Sequence, residues 1–548
     1  MRRWFSTGTP WVWLTASAIT FSLLAMVAVF ALLVGQSVRY LWPQPVWLFS
    51  LHDAQGSLRQ LIGERYDEQP LTRQQLTDAG IVNPPAEGAT RYLLKTGWRE
   101  FYGQSFQTLL STSVIDASQP TDVLAVRRTA NGIAYGYLDG MTEDGQPLVS
   151  DNLPSTLQQR IVLVRQWKAR AQTLRQGEIS RVNQQFGALR LQEGKLRREN
   201  RLSEQAQARL NAERIELEHH FNALNQQLIA INAEINRTAV WLRDAQGQRR
   251  TIPVSMIERA WYPNAMTISE KAQQTLQVLG TMLTRFEPDD SNPGQLLPAI
   301  FGTVLLVILM SVIVMPLGVV AAVYLHEYAD NTSLTRWVRV AVANLAGVPS
   351  IVYGVFGLGF FVYLVGGTLD QLFYAESLPN PTFGTPGLLW ASLTLALLTL
   401  PVVIVSTEEG LSRIPVSVRH GSLALGATRA ETLWHVVLPM AVPAMMTGLI
   451  LAVARAAGET APLMLVGVVK SVPALPVDDI FPYLHLERKF MHLGFQIYDL
   501  AFQSPDVEAA RPLVYTTALL LVLIVVALNL AAIGIRHVLR EKYRAMSL

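Results

Sequence analysis

Cysteine is absent from all 548 residues. Its absence excludes disulfides, Cys-ligated zinc, iron–sulfur clusters and a cysteine nucleophile. Charge is scarce: Asp, Glu, Lys and Arg make up 16% of the chain, against roughly 25% in soluble domains. The net charge of +3 excludes recognition of nucleic acid by bulk charge. No G-x-x-x-x-G-K-S/T phosphate loop occurs, and Gly194-Lys195 lies in a helical stretch, so the chain is not expected to hydrolyse a nucleotide itself. HExxH is also missing. His219 and His220 are adjacent and would point apart on a helix, so no metal centre is expected. His485 and His492 read as surface or interfacial residues. No catalytic residue and no cofactor is expected.

What the chain does have is long apolar runs, at its start and throughout its second half. A spanning helix needs about 20 mostly apolar residues. Runs of that kind cover Trp11–Val34, Pro298–Leu325, Val338–Gly366, Gly387–Ser406, Pro439–Val469 and Pro512–Ile535. The first is too long for a secretory signal and reads as a retained anchor. Basic residues mark the cytoplasmic loops of such proteins. Met1–Pro10, His326–Trp337, Thr407–Leu438 and Arg536–Leu548 carry Arg2, Arg3, Arg336, Arg413, Arg419, Arg429, Arg536, Arg540, Lys542 and Arg544. Both termini are therefore expected in the cytoplasm, and residues 35–297 outside it.

That segment has two textures. Asp122–Met141 reads DVLAVRRTANGIAYGYLDGM, with β-branched and aromatic residues around Ala130-Asn131-Gly132. Asn-Gly is a hairpin signal, so a β-containing part is expected over about 45–150, with a further extended piece at Thr251–Ile257. From Leu157 to Leu242 the pattern becomes helical. Leu157, Ile161, Val164, Ala171 and Leu174, then Leu217, Phe221, Leu224, Leu228, Ile231 and Ile235, keep three- and four-residue steps without a proline. This predicts a coiled coil over about 155–245. A single helix of that length would be on the order of 130 Å, so a hairpin reversing near Gly194–Arg201 is the more economical reading. It would serve as a docking arm or as a spacer.

The loop 407–439 carries RHGSLALGATRAETLWHVVLP from Arg419. Ala424, Leu425, Ala427, Leu433 and Val437 form an amphipathic pattern. Gly426 permits a sharp bend, and Pro439 is placed to start the next span. A bent helix pair projecting from a bundle can receive a push from a soluble partner; it can also be an ordinary interfacial helix. Arg455 and Glu459, four apart, would share one helical face in an apolar stretch. Charge there costs at least about 2.5–3.5 kcal/mol and usually faces a partner or a watery path. Arg suits phosphate oxygens. A carboxylate can accept a hydrogen bond from protonated phosphate, which sulfate cannot give. The alternative is a structural salt bridge. Gly347-Val348-Pro349-Ser350 interrupts the third run; Asn344 and Ser350 would then face a substrate route, or the break is a simple kink.

Gly426, nine intervening residues, Val436, Leu438 and Pro439 resemble the coupling motif of ABC importer permeases, although its Glu-Ala-Ala reads His420-Gly421-Ser422 here. LAGVPSIVYGVFGLGFF (Leu345–Phe361) and ARAAGETAPLML (Ala454–Leu465) resemble phosphate-specific permeases, the Ala-Pro after Gly-Glu-Thr being closer to the PstA type than to its sister PstC. The resemblance runs from about Ala299 to the C-terminus, and the insert resembles that of long-form PstA proteins. It implies a mainly α fold: a polytopic six-span helical bundle of the ABC importer permease type with an α+β, coiled-coil extracytoplasmic insert. Residues 1–34 would be tip and first span, 35–297 the periplasmic insert, and 298–548 the five-span permease core. The implied role is the permease subunit of an ATP-driven phosphate importer in the bacterial inner membrane, not an enzyme. Implied partners are a PstC-like sister permease, a PstB-like ATPase dimer, a PstS-like periplasmic phosphate-binding protein and membrane lipid. Arg455, Glu459, Asn344 and Ser350 would line the path; Gly426, Ala427, Val436, Leu438 and Pro439 would couple to the ATPase. A permease for sulfate or molybdate remains open. So does a membrane-anchored coiled-coil sensor, which would need a cytoplasmic output domain. An ion-driven secondary transporter would usually show an internal repeat, and none is found.

Overall fold

The computed structural model describes every residue except 1–8, 53–57, 82–84, 130–131, 287–294, 331, 378, 479–480, 505–506 and 545–548. It divides into two compact units, Leu41–Val278 and a second made of Met1–Tyr40 with Leu279–Leu548.

The first unit holds two antiparallel sheets and a helical hairpin. Strands β1 (Val46–His52), β2 (Leu58–Leu71), β3 (Ala89–Lys95), β4 (Phe106–Leu110) and β5 (Val114–Ser118) form a sheet in the order β4-β3-β2-β1-β5. The second sheet takes β6 (Val123–Arg128), β7 (Ile133–Glu143), β8 (Gln146–Pro147), β9 (Thr238–Arg243), β10 (Arg249–Pro253) and β11 (Ile257–Trp261), with the path β10-β9-β7-β6-β11. β6 and β7 pair antiparallel, Val126 opposite Ala134 and Arg127 opposite Ile133. The expected hairpin is therefore present, although Ala130 and Asn131 at its turn lie outside the described residues. Alternation along β6 and β7 buries both faces. Leu124, Val126 and Ala134 pack with the helical residues Leu157, Ile161, Val164 and Ile235. Val123, Ala125, Ile133 and Tyr135 pack with Val46 and Ile62 of the first sheet.

The helices Leu153–Leu174 and Ser180–Arg198 are joined by a π-turn at Arg175–Ile179, and Glu204–Asn236 returns beside them. Leu174, Val182 and Leu224 are buried together, and the rings of Phe186 and Phe221 meet at 6.5 Å. The chain reverses at 199–203, so the hairpin reading holds. The helical stretch is shorter than expected, however. It ends at Asn236, and Leu242 lies in β9, where Thr238, Val240 and Leu242 are buried in alternation. A two-residue period had been merged into the helical one. At the β9–β10 turn, buried Asp244 accepts hydrogen bonds from the backbone N–H of Gln246 (3.1 Å) and Gln248 (2.8 Å) and from the Tyr102 hydroxyl (2.8 Å). Burial and the Asp244 carboxylate push that hydroxyl up to about 12.

Among the described residues of the second unit, six helices are long and apolar enough to cross a membrane: Trp11–Leu41, Leu297–Tyr328, Ser350–Phe373, Leu388–Ser412, Arg429–Gly458 and Val507–Glu541. The count of six agrees with the hydropathy reading, but boundaries shift: the first, fourth and sixth helices run several residues longer than their apolar runs, and the third and fifth are displaced. The third span begins at Ser350, not Val338, because Gly347–Pro349 ends a separate amphipathic helix, Ser333–Leu345, none of whose residues is buried. The fifth begins at Arg429 and stops at Gly458, not Val469. Leu306, Met310, Leu395, Val403, Ala452 and Ala456 of the second, fourth and fifth spans form the buried centre of the bundle. Residues 11–30 of the first span are exposed throughout.

Removing the buried Asp244 carboxylate takes the acceptor from two partly buried backbone N–H groups and from the Tyr102 hydroxyl, a loss of roughly 1–3 kcal/mol. Asp244→Ala is expected to lower the unfolding temperature of the purified full chain by several degrees, and Asp244→Asn by less. Equal effects of the two substitutions would refute the assignment.

Candidate functional site

Two places gather the residues singled out by the sequence. The first is the end of the fifth span. Gly458 is its last helical residue, and Glu459 is already extended, with φ −78° and ψ 130°. Gly is a poor helix former, and Pro462 has no N–H to give to the Gly458 carbonyl, so the helix cannot continue. Arg455 and Glu459 are thus not on one helical face as expected. They meet nonetheless, with Arg455 Nε 3.5 Å from Glu459 Oε1, because the backbone turns over Ala456, whose carbonyl accepts the Glu459 N–H at 3.2 Å. Both side chains are partly open, 32% and 20% exposed.

The third span abuts this break. A Cβ on Gly354 would lie 2.7 Å from Pro462 Cα, so only glycine allows the approach. Ser350 is the first residue of that helix, and Asn344 lies exposed near the end of the preceding one. Neither hydrogen-bonds to the Arg455–Glu459 pair among the described residues. Tyr353, one turn beyond Ser350, was not foreseen. Its hydroxyl donates to the Leu345 carbonyl at 2.7 Å and lies within electrostatic reach of Arg455. The signal was present in the quoted segment, as a single polar tip on an apolar helix next to a proline break.

The second place is the loop between the fourth and fifth spans. Helix Val416–Ala424 ends on Gly426, whose φ of +90° is left-handed. The Ala427 N–H donates to Ser422 O (3.3 Å) and the Gly426 N–H to Leu423 O (3.0 Å), the two bonds of a Schellman stop. Thr428 and Glu431 then form a capping box that starts the next helix. Val437 and Leu433 are buried, and Val436, Leu438 and Pro439 are partly buried. Ala427 is partly buried at the bend. Leu425 departs from the amphipathic expectation: it is 91% exposed, and Trp434 is 70% exposed. Pro439 does not start a helix, since a π-turn at Leu433–Val437 carries the Arg429 helix continuously into the span.

Residues 314–545 match the family described as the binding-protein-dependent transport system inner membrane component. The chain is 31% identical over 290 residues, 53% of its length, to the phosphate transport system permease protein PstA 1 of Mycobacterium tuberculosis, of which it covers 82%. It belongs to this permease family. It is also 30% identical over 254 residues to the probable phosphate transport system permease protein PstA of Methanocaldococcus jannaschii, covering 46% of this chain and 78% of that one. With the phosphate transport system permease protein PstC of Xylella fastidiosa it shares 29% over 225 residues, covering 38% and 68%. This permease is accordingly a multi-pass inner membrane transport subunit, and not an enzyme.

Two histidines of the permease are corrected. The sequence reads His485 and His492 as surface or interfacial residues, whereas both are buried within this chain. The reason is that the loop after Lys470 folds back on the bundle. Leu388 N–H and Leu389 N–H at the head of the fourth span donate to the carbonyls of Arg488 and Leu486, both at 2.9 Å, and Val469 N–H donates to Phe490 O at 3.0 Å. His485 sits between Asp478 (3.0 Å) and Glu487 (3.1 Å). His492 caps the helix Leu493–Tyr498, its Nδ1 accepting the Gly494 N–H at 3.1 Å. Burial pushes the His492 imidazole down to about 4.

A histidine held neutral in the fold loses stability as pH falls, because only the unfolded chain takes up the proton. Between pH 6.5 and about 4 the loss from His492 is on the order of 3 kcal/mol. Thermal unfolding of the purified chain over pH 7 to 4 is expected to show this decline, and His492→Asn, which keeps a capping acceptor, is expected to flatten it. An unaltered slope in the variant would rule out His492 as its source.

Proposed function

We propose that this chain is the permease subunit of an ATP-driven importer of inorganic phosphate, forming half of the translocation path. The observation that carries the reading is its 31% identity to a phosphate permease across 82% of that protein. The local chemistry supports it. The Arg455–Glu459 pair stands partly open at a break between two spans. The guanidinium offers a planar fork to phosphate oxygens. Phosphate near neutral pH retains a proton that Glu459 can accept in a hydrogen bond, whereas sulfate carries none and is repelled. Tyr353 adds a polar tip beside Arg455. Asn344 and Ser350 flank the approach from the third span.

In this reading a PstC-like sister permease supplies the other half of the path, and a PstS-like binding protein delivers phosphate. Two PstB-like ATPases dock on the coupling loops. The exposed Leu425 and Trp434 around Gly426 suit that contact. The ATPase side of the membrane holds both termini and loop 407–439, with Arg413, Arg419 and Arg429 as its basic marks. Residues 35–297 lie in the periplasm as a separate domain, 1–34 form the first span with its tip, and 298–548 form the core.

Cells lacking this chain and complemented with it are expected to take up radiolabelled phosphate, unaffected by excess sulfate or molybdate. Arg455→Gln is expected to cut uptake roughly 10- to 100-fold, the value of a charge-assisted hydrogen bond, with Arg455→Lys intermediate and membrane levels normal. Normal uptake through Arg455→Gln would remove the pair from the path, and competition by sulfate would move the substrate to another oxyanion.

A further inference from the structure

The coupling loop is spliced covalently into the fourth and fifth spans, so a push on it reaches those two helices directly. The second span, Leu297–Tyr328, has no such connection. It must be moved through contacts: the buried apolar seam with the fourth span, where Leu306, Met310 and Val314 meet Leu395 and Val403, and one polar contact made with the loop itself.

Arg419 lies on the helix Val416–Ala424, on the side of the bend opposite Thr428. Its Nη2 is 2.9 Å from Glu327 Oε1, at the end of the second span, and donates to the Leu411 carbonyl, at the end of the fourth span, also at 2.9 Å. Side-chain exposures of 18% and 22% place the pair largely out of water, where an ion pair is strong and resists separation. Glu327 lies in a π-turn, Tyr324–Tyr328, that forms the last stretch of its helix. His326 Nδ1 contacts the same Glu327 oxygen at 3.0 Å. Close by, Arg339 donates to the Leu325 carbonyl at 2.7 Å and lies 4.0 Å from Glu408 on the fourth span.

The helix bearing Arg419 buries none of its residues fully. Its grip consists of partly buried Val418, the Ser422–Thr432 hydroxyl contact at 2.9 Å and the Arg419 bonds. Val418 packs with Val323 and Leu411 in an apolar cluster, a contact with no directional preference that can slide. The two Arg419 bonds are directional, so they set the register between the loop and the second span.

We propose that Arg419, through Glu327, is the positioning residue that makes the second span move with the coupling loop. The proposal rests on the importer reading above, and it names the part of this chain that passes the partner's stroke across the bundle. A loop displacement carried by the exposed surface around Leu425 pulls the Glu327 end of the second span with it. Without the pair, the second span still follows the fourth through their apolar seam, but its Glu327 end loses its fixed register with the loop.

The complete absence of cysteine makes the test direct. In the assembled importer, spin labels at Val416 and Leu317, exposed residues on the loop helix and the second span, are expected to give one narrow distance distribution with and without ATP. Arg419→Gln and Glu327→Gln are expected to broaden it, and the exchange Arg419→Glu with Glu327→Arg to narrow it again. In the same preparations ATP hydrolysis should persist in Arg419→Gln while phosphate moved per ATP falls about fivefold or more, with recovery in the exchange variant. An unbroadened distribution in Arg419→Gln would overturn the link, as would equal losses of hydrolysis and uptake or no recovery on exchange. The distance readout contains no phosphate, so a failure of the phosphate reading alone would leave the label result intact and show up only in uptake.

Discussion

Inside a bilayer there is no water to bond a free N–H or C=O, so backbone polar groups must find partners within the protein. In this chain that constraint decides where helices can stop. At the break before Ser350 the freed Leu345 carbonyl takes the Tyr353 hydroxyl. Near the end of the third span, the buried Asp370 carboxylate accepts the N–H groups of Phe383 and Gly384 from the loop that follows. The first N–H groups of the fourth span bond to a folded-back loop instead of water. At these three places the open helical ladder is closed by a side chain or by backbone from another segment.

The candidate path stands where two such openings coincide. The break before Ser350 and the break after Gly458 are brought together by the packing of Gly354 on Pro462. Arg455 and Glu459 emerge from the same break. Charge is tolerated there because the interruption gives it a partner and an opening, whereas within an unbroken lipid-facing helix it would have neither.

At the other end of the bundle, directional hydrogen bonds and ion pairs are added to an apolar cluster of Val323, Leu411, Leu433 and Val437. The helix Val416–Ala424 is shallow, with none of its residues fully buried, and it is tied to two spans by one guanidinium. The same helix ends in a Schellman stop that presents Leu425 outward. A rigid corner with an exposed tip and a tethered base is suited to transmit force. The separate unit Leu41–Val278 uses different means: two sheets, one of them buried on both faces, and a helical hairpin closed by apolar residues at helical spacing.

Hydropathy and periodicity were sufficient to read six spans, a strand pair at Val123–Met141, a helical hairpin and the bend at Gly426. These depend on sums over neighbouring residues, and such sums are present in the sequence. Membership of the permease family was legible for a related reason, since Leu345–Phe361, Ala454–Leu465 and Gly426–Pro439 are contiguous segments. What depended on residues distant along the chain was not legible. Leu242 has a helical spacing from its predecessors, yet pairing with β7 and β10 makes it part of a strand. His485 and His492 look like loop residues until the loop folds back on the fourth span. Glu459 is four residues from Arg455, and only Gly458 and Pro462 together remove it from the helix while the turn returns it to its partner. Arg419 was visible only as one positive charge among several. Its meeting with Glu327 required the second span to pack beside the loop, a placement that local spacing does not encode.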